Sequence, residues 1–336
     1  MIPRSRIRDV ASRAGVSTAT VSRALSNPAL VRPDTQLRIR EAIAALGYVP
    51  DGSARALASG RAHTIGAVVP TLDNAIFARA VQGLQTTLSQ SGYQLLIAAH
   101  EYNPAAEQDL VRALLERSID ALLVVGTDHA PQTWELIHAS RVPLLVTWSK
   151  TELQPSIGFD NHLIGRLAAL HLLALGHKRM GVISGHFLHN DRARNRVEGF
   201  REVLHQNGCQ LPEGYVLEQP FGFEGGHAGL KALLSLDPRP TAVFCGNDAL
   251  ALGCLFEARA MGVDVPGELS IVGCDNLPIS SQVTPSLTTI HLPTHELGQR
   301  AAMVLLQWLA TGAPPQSECL PIELVVRGTS APPKKT

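Results

Sequence analysis

A six-residue stretch near the N-terminus is rich in short polar side chains. It offers hydroxyls, a methyl group and one guanidinium, on Thr18, Ala19, Thr20, Ser22 and Arg23. Hydroxyl and guanidinium groups form hydrogen bonds with base edges and phosphates. If a helix presents these five side chains outward, they are candidates for contacts with DNA.

The surrounding pattern predicts two short helices joined by a tight turn. Gly15 suits a left-handed turn residue, and Ser17 can cap a second helix that starts at Thr18 and runs to Leu25. A helix-turn-helix of this kind places the first turn of its second helix in the major groove. The alternative is a small helical hairpin that contacts protein. The first helix is predicted from apolar residues at helical spacing, namely Ile7, Val10, Ala11 and Ala14.

A third helix and a short hinge are predicted downstream. Pro33 and Asp34 suit the first turn of a helix, and Gly47 suits its end. The small-residue segment 53–60 can form a brief helix, which is too short to be stable alone. We therefore expect it to fold only when bound, as a hinge does.

These motifs, taken in order, resemble the LacI/GalR family of bacterial repressors. The resemblance rests on the runs Ile7–Ala11 and Gly15–Arg23, on Gly47-Tyr48-x-Pro50 and on Arg55-x-Leu57, and it continues to Gly328. It implies an α/β fold with an N-terminal all-α helix-turn-helix domain (1–50) and a hinge helix and linker (51–62). A two-lobed effector-binding and dimerisation domain that resembles periplasmic binding proteins (63–330) and a flexible tail (331–336) follow.

The resemblance also implies how the first domain would contact DNA. It implies a homodimer on a near-palindromic operator, with Thr18, Ala19 and Arg23 on bases. Leu57 would wedge into the central base step, where an inserted apolar side chain kinks the duplex. The alternative for Leu57 is a hinge-core residue. The remaining DNA contacts implied are Thr35 and Tyr48 on phosphates, with Arg6 and Arg55 nearby.

The N-terminal segment 1–62 (the head) and the rest of the chain (the body) carry opposite net charges. Residues 1–62 contain ten Arg, no Lys and four acidic residues, a net of +6, so the rest of this neutral chain carries −6. A basic head on an acidic body favours a polyanionic partner for the head alone. The alternative is a solvated basic face.

We found no secretion signal and no membrane-length apolar run, and the five cysteines include no Cys-x-x-Cys pair, so we predict a cytoplasmic protein.

From His63 onward the pattern alternates between strands and helices. Apolar runs of strand length occur in two successive series, at 64–69, 94–99, 121–125 and 143–147, then at 180–184, 241–245 and 269–273. Continuous apolar strands that alternate with helices predict parallel sheets covered on both faces. Two series predict two α/β lobes, with a ligand between them at the carboxyl ends of the strands.

No catalytic or nucleotide-binding signature occurs in this region, so we predict a protein that is not an enzyme and needs no cofactor. His186, His189 and Asp191 cluster after a strand, but their spacing fits no zinc pattern. We interpret them as a polar loop at the cleft, without a metal.

The resemblance implies ten effector-binding residues, of which Arg196 is the strongest candidate. Asp160 and Asp275 have an alternative as helix N-caps, and Phe223 is an alternative to Phe221 as the cleft aromatic. Of the three neighbouring arginines Arg192, Arg194 and Arg196, Arg194 is the one interpreted as facing solvent. The ten residues are Asn74, Phe77, Trp148, Asp160, Asn190, Arg192, Arg196, Phe221, Asn247 and Asp275.

Aromatic faces with carboxylate and amide groups suit a polyol. Two guanidiniums that both point into the cleft would favour a carboxylate or phosphate on the ligand. The predicted effector is therefore a sugar or a sugar acid. Effector binding would alter the hinges of a dimer and so shift operator affinity, by induction or by corepression.

Overall fold

The computed structural model describes residues 5–49 and 60–334. These residues divide into two compact units, the first ending at His63 and the second starting at Thr64. In the described part of the chain, no helix is both long and apolar enough to cross a bilayer. Arg55, Leu57 and the rest of the predicted hinge helix lie outside the described residues.

The first unit is a three-helix head, as predicted. Helices α1 (Ile7–Ala14), α2 (Thr18–Ser26) and α3 (Pro33–Leu46) surround a small core, and the 3₁₀ turn Pro28–Leu30 lies between α2 and α3. Gly15 and Gly47 end α1 and α3 with φ of 65° and 56°, values that glycine adopts without strain. The buried side chains are Val10, Ala11, Ala14, Val21, Ile39 and Ala42.

The second unit contains two six-stranded sheets, which confirms the prediction of two α/β lobes. The first sheet has the order β11-β5-β4-β3-β1-β2, and all of its strands are parallel. Its strands are β1 (Thr64–Val69), β2 (Gln94–Ala99), β3 (Ala121–Val125), β4 (Leu144–Ser149), β5 (Ser156–Phe159) and β11 (Glu318–Cys319). Its helices are α4 (Ala75–Gln90), α5 (Pro104–Glu116), α6 (Pro131–Ser140) and α11 (Thr294–Thr311).

The second sheet has the order β12-β10-β9-β8-β6-β7. Its edge strand β12 is antiparallel to β10, which departs from the expected purely parallel sheets. The strands are β6 (Met180–Ser184), β7 (Val216–Glu218), β8 (Ala242–Cys245), β9 (Ser270–Asp275), β10 (Thr288–His291) and β12 (Glu323–Val325). The helices are α7 (Asn161–Ala174), α8 (Asp191–Gln206), α9 (Phe223–Leu234) and α10 (Asp248–Ala260).

The chain crosses between the lobes three times: between β5 and α7, between β10 and α11, and between β11 and β12. Glycines allow helices to pack closely within each lobe. A Cβ at Gly165 of α7 would lie 1.8 Å from the backbone oxygen of Arg196 on α8, so only glycine fits there. This close contact fixes the position of α8, which carries both arginines of the predicted effector site.

The C-terminal segment packs on the second lobe through His177. His177 is 1% exposed, and its imidazole lies within hydrogen-bonding distance of Thr241 Oγ1 (2.9 Å), Ser270 Oγ (3.1 Å) and the Ala331 carbonyl oxygen (3.0 Å). The Ala331 backbone N–H also donates to Ser270 Oγ. Ala331, which the sequence assigned to the tail, is therefore part of a hydrogen-bonded network.

We expect this network to make stability depend on pH. Burial lowers the pKa of His177 from its ordinary 6.5, so the unfolded chain takes up the proton more readily. The stabilisation is complete above pH 6.5 and is lost below it, by at most about 1.4 kcal/mol per pH unit. Urea unfolding of the wild type and of His177→Gln, which does not titrate, measures the difference. Parallel pH profiles for the two proteins would contradict the assignment.

Candidate functional site

Helix α2 presents a polar exposed face. Thr18, Ala19, Ser22 and Arg23 are exposed, whereas Val21 on the opposite face is fully buried. Ser17 caps the helix, since its hydroxyl oxygen accepts a hydrogen bond from the backbone N–H of Thr20 at 3.1 Å. These four exposed side chains form the reading face of α2, the surface that the sequence predicts to contact DNA.

The other predicted DNA contacts are less uniform. Thr20 is half-buried, and its hydroxyl lies 2.9 Å from Ser17 Oγ, so it helps to order the start of α2. Thr35 is half-buried in the first turn of α3, and Tyr48 packs against the core of the head. Arg6 is exposed at the start of α1.

Most of the predicted effector residues converge in the cleft between the two lobes of the second unit. They surround a small cavity of about 30 Å³. Most of them follow the carboxyl ends of strands or begin helices there, where parallel α/β sheets place their binding sites. Eight of the ten predicted residues line the cavity: Asn74, Phe77, Trp148, Asn190, Arg192, Arg196, Phe221 and Asn247.

The two remaining residues differ from that expectation. Asp160 does not line the cavity; its carboxylate accepts a hydrogen bond from the backbone N–H of Leu163 at 2.9 Å and caps α7. Its N-cap role, the alternative at this position, is the one that the structure shows. Asp275 ends β9 and is 4% exposed, with neither carboxyl oxygen in a hydrogen bond to described residues.

The alternatives at other positions are also distinguished. Phe221 lines the cavity, whereas Phe223 is 46% exposed and packs near Phe256 with 6.0 Å between ring centroids. Arg194 lies away from the cavity and forms an ion pair with Asp128 at 2.6 Å. In the residues that the structure describes, no group of three or more ligand-type side chains could hold a metal ion.

The two arginines in the cavity differ in their charge environment. Arg192 forms an ion pair with Asp191, with 2.9 Å between Nη1 and Oδ1. Arg196 has no such partner among the described residues: its Nε donates to Asn161 Oδ1 at 3.0 Å, and its Nη1 donates to the Gly246 carbonyl at 2.6 Å. Arg196 therefore contributes a positive charge to the cleft that no carboxylate within 4.0 Å neutralises.

Several buried polar atoms in the cleft form no hydrogen bond with described residues. They are Trp148 Nε1, Ser184 Oγ and Asn247 Nδ2 in the cavity wall, with both carboxyl oxygens of Asp275. Burial raises the pKa of Asp275 well above its ordinary range, and Asp248 raises it further, while Arg196 opposes the change. Buried polar groups normally have partners, so the three atoms in the cavity wall are available to a polar ligand.

Two pairs of aromatic rings contribute to the cavity wall. Phe77 and Trp148 of the first lobe pack with 4.9 Å between centroids. Tyr102, also of the first lobe, stacks on Phe221 of the second lobe at 4.8 Å with an interplanar angle of 12°. Sequence reasoning missed Tyr102 and Ser184. The available signal was their position at or near the carboxyl ends of strands: Ser184 is the last residue of β6, Tyr102 follows β2 by three residues, and Trp148 is the penultimate residue of β4.

The two units match two family models. Residues 6–51 match the model described as "Bacterial regulatory proteins, lacI family", and residues 169–330 match "Periplasmic binding protein-like domain".

The similarity also extends over whole proteins. The HTH-type transcriptional repressor PurR of Actinobacillus pleuropneumoniae serotype 3 (strain JL03) is 33% identical over 96% of this chain and 97% of its own. The HTH-type transcriptional repressor CytR of Escherichia coli (strain K12) is 33% identical over 96% of each chain. A crystal structure of the lac repressor dimer bound to operator and the anti-inducer ONPF superposes with a TM-score of 0.86. It is 28% identical and covers 98% of this chain and all of its own. With both family models and near-complete coverage of its relatives, the chain belongs to the lacI family of bacterial regulatory proteins.

Proposed function

We propose that this protein is a cytoplasmic transcriptional repressor, without enzymatic activity, that binds a near-palindromic operator as a dimer and responds to a small polar effector. The observation that carries the proposal is the set of unpartnered polar atoms in a cleft built from both lobes, in a chain whose head exposes the α2 reading face. Two relatives named as repressors and a lac repressor dimer on its operator support the DNA-binding part.

The effector in this proposal is a sugar or a sugar acid. Trp148 and Asn247 supply hydrogen-bond donors and the Ser184 hydroxyl can donate or accept, which suits a ligand with several hydroxyl groups. Arg196 favours an anionic group, whereas the charge of Arg192 is balanced by Asp191. Of the two guanidiniums, only that of Arg196 therefore supports a sugar acid as the effector.

Effector binding is proposed to act through the arrangement of the two lobes. Asp191 on α8 accepts hydrogen bonds from the hydroxyls of Ser149 (2.5 Å) and Thr127 (3.0 Å) in the first lobe, beside the cavity. A ligand in the cleft contacts both sides of this junction and so changes the free-energy difference between lobe arrangements. It can shift operator affinity only by as much as its affinities for those arrangements differ.

The proposed dimer places α9 and α10 in its interface. Phe223 and Phe256 form an exposed aromatic pair on these helices, at 46% and 40% exposure. Aromatic side chains of this size dominate the energetics of protein interfaces, and a second copy of the protein would cover them. The lac repressor structure is a dimer, which supports a second copy of the chain as the partner that covers this pair.

We expect Phe256→Arg to convert the dimer to a monomer at micromolar concentration, because it places a charge in an apolar interface. Analytical ultracentrifugation measures the change, and Met303→Arg, at a similarly exposed residue on α11, is the control. An unchanged dimer in Phe256→Arg would exclude this interface.

The function is tested by a thermal-shift screen of sugars and sugar acids, followed by operator binding with each compound that stabilises the protein. A mobility shift on the upstream region of its own gene, at several salt concentrations, identifies the operator. Sequence preference together with steep salt dependence supports the proposal, and binding that is indifferent to sequence would reject it.

A further inference from the structure

Tyr102 is held firmly on the first lobe. It follows β2 in a turn where Glu101 and Tyr102 both have positive φ, 48° and 57°. The Glu101 N–H donates to the Pro70 carbonyl at 2.7 Å, and the Asn103 N–H donates to the His100 carbonyl at 2.9 Å. The side chain of Asn103 then caps α5. The backbone on both sides of Tyr102 is thus tied to secondary structure.

The Tyr102 ring reaches across the cleft and fills a position that the second lobe shapes for a ring. One face lies on Phe221, with 4.8 Å between centroids and 12° between planes. Phe221 in turn packs over Gly185, where a Cβ would lie 1.9 Å from its ring, so any larger residue would displace Phe221. Arg192 faces the Tyr102 hydroxyl; it fits against Gly126, where a Cβ would lie 1.8 Å from its Nη1.

The cavity that remains is too small for a metabolite. Its volume of about 30 Å³ is room for one or two water molecules, whereas small-molecule sites typically measure about 300–1,000 Å³. The unpartnered atoms of Trp148, Ser184 and Asn247 line the same cavity as Tyr102. A ligand that reaches these atoms must therefore take the space of the Tyr102 ring.

We propose that Tyr102 occupies the position that the ring of the effector takes when it binds, and that Tyr102 is a specificity-determining residue of the site. We call this position, beside Phe221 and Arg192, the seat. The seat offers the flat face of Phe221 and the guanidinium of Arg192. The ligand that displaces Tyr102 therefore presents a ring with an apolar face and an oxygen that accepts a hydrogen bond. This inference rests on the proposed function and narrows it to a cyclic sugar or cyclic sugar acid, and it excludes acyclic acids.

Tyr102 acts in this account as an internal competitor. The apparent association constant equals the intrinsic one multiplied by the fraction of molecules in which the seat is open. Removing the ring opens the seat in all molecules, and we expect Tyr102→Ala to bind the effector about tenfold more tightly than the wild type. Tyr102→Phe retains the stack on Phe221 and loses the hydroxyl near Arg192, so its affinity should lie between the two.

The seat is tested first with p-cresol, which reproduces the tyrosine side chain. By isothermal titration of the full-length protein, we expect saturable p-cresol binding to Tyr102→Ala, and none to the wild type or to Tyr102→Phe. The control is Tyr215→Ala, which removes a tyrosine whose hydroxyl donates to the Pro238 carbonyl, away from the cleft. Thermal unfolding confirms that each variant is folded. Failure of p-cresol to bind Tyr102→Ala would overturn the proposal.

The second arm uses compounds from the effector screen, including cyclic glucuronate and acyclic gluconate. We expect a cyclic compound to bind, to bind Tyr102→Ala more tightly, and to be displaced from that variant by p-cresol. Weaker binding to Tyr102→Ala, independent binding of p-cresol, or preference for gluconate would each overturn the inference. None of these results affects the proposed function, which fails if DNA binding is indifferent to sequence or if cleft ligands leave operator affinity unchanged.

Discussion

Replacing Arg196 with alanine is expected to abolish the response to effector. Arg196 is 7% exposed and lines the cleft, and its guanidinium has no carboxylate partner within 4.0 Å among described residues. Truncating one member of a buried charged hydrogen-bonded contact weakens binding by about 2–5 kcal/mol, which is roughly 30-fold to several thousandfold. Isothermal titration measures the loss of affinity, and operator binding with and without effector measures the loss of response.

A neighbouring arginine on the same helix is the matched control. Arg194 pairs with Asp128 and does not line the cavity, so Arg194→Ala should retain effector affinity within about threefold of the wild type. Arg196→Ala also leaves Asn161 Oδ1 and the Gly246 carbonyl without a donor, so thermal unfolding must show a folded protein. A folded Arg196→Ala protein with unchanged effector affinity would contradict the assigned site.

Replacing Arg23 with alanine is expected to weaken operator binding about 5- to 150-fold, the range for one direct contact to a base. Arg23 is exposed on α2, one turn after the capped start of the helix, and its backbone carbonyl still accepts the Asn27 N–H in the variant. The head should therefore stay folded. Fluorescence anisotropy on the operator and on single-base variants of it measures both affinity and discrimination.

The control for Arg23 is Arg13, which is exposed in the last turn of α1 and removes the same formal charge when replaced. We expect Arg13→Ala to reduce affinity equally for every sequence, if at all, while Arg23→Ala relaxes the preference at one base position. Equal losses for the two variants on all sequences would show that Arg23 contributes only general electrostatic attraction.

Local signals explain why the head and the main strands could be predicted. Ser17, Gly15 and Gly47 act on their immediate neighbours, so the cap and the two left-handed ends are specified within a few residues. Strands such as β3 are apolar along their whole length because both faces of the sheet are covered. The short strands β5, β7, β10, β11 and β12 were not predicted, since two to four residues carry little periodicity.

The site was predicted in outline, and its details depend on tertiary contacts. The sequence neighbours Asp191 and Arg192 gave no sign that they pair, yet this pairing removes half of the argument for an acidic ligand. Tyr102 and Phe221 are 119 positions apart in the sequence and stack only because the two lobes face each other. Asp160 follows a strand as cleft residues do, and its side chain turns back to cap α7 instead.

The most direct test of the account is a thermodynamic cycle on the full-length protein. Effector affinity is measured for the free protein and for the operator complex, and operator affinity is measured with and without effector. Because coupling between two sites is reciprocal, the two ratios must be equal, and typical couplings of about 1–3 kcal/mol correspond to a factor of roughly 5–150. We predict equal ratios in that range for the wild type, and ratios of one for Arg196→Ala. Tight effector binding with a ratio of one in the wild type would contradict the claim that the cleft controls operator binding.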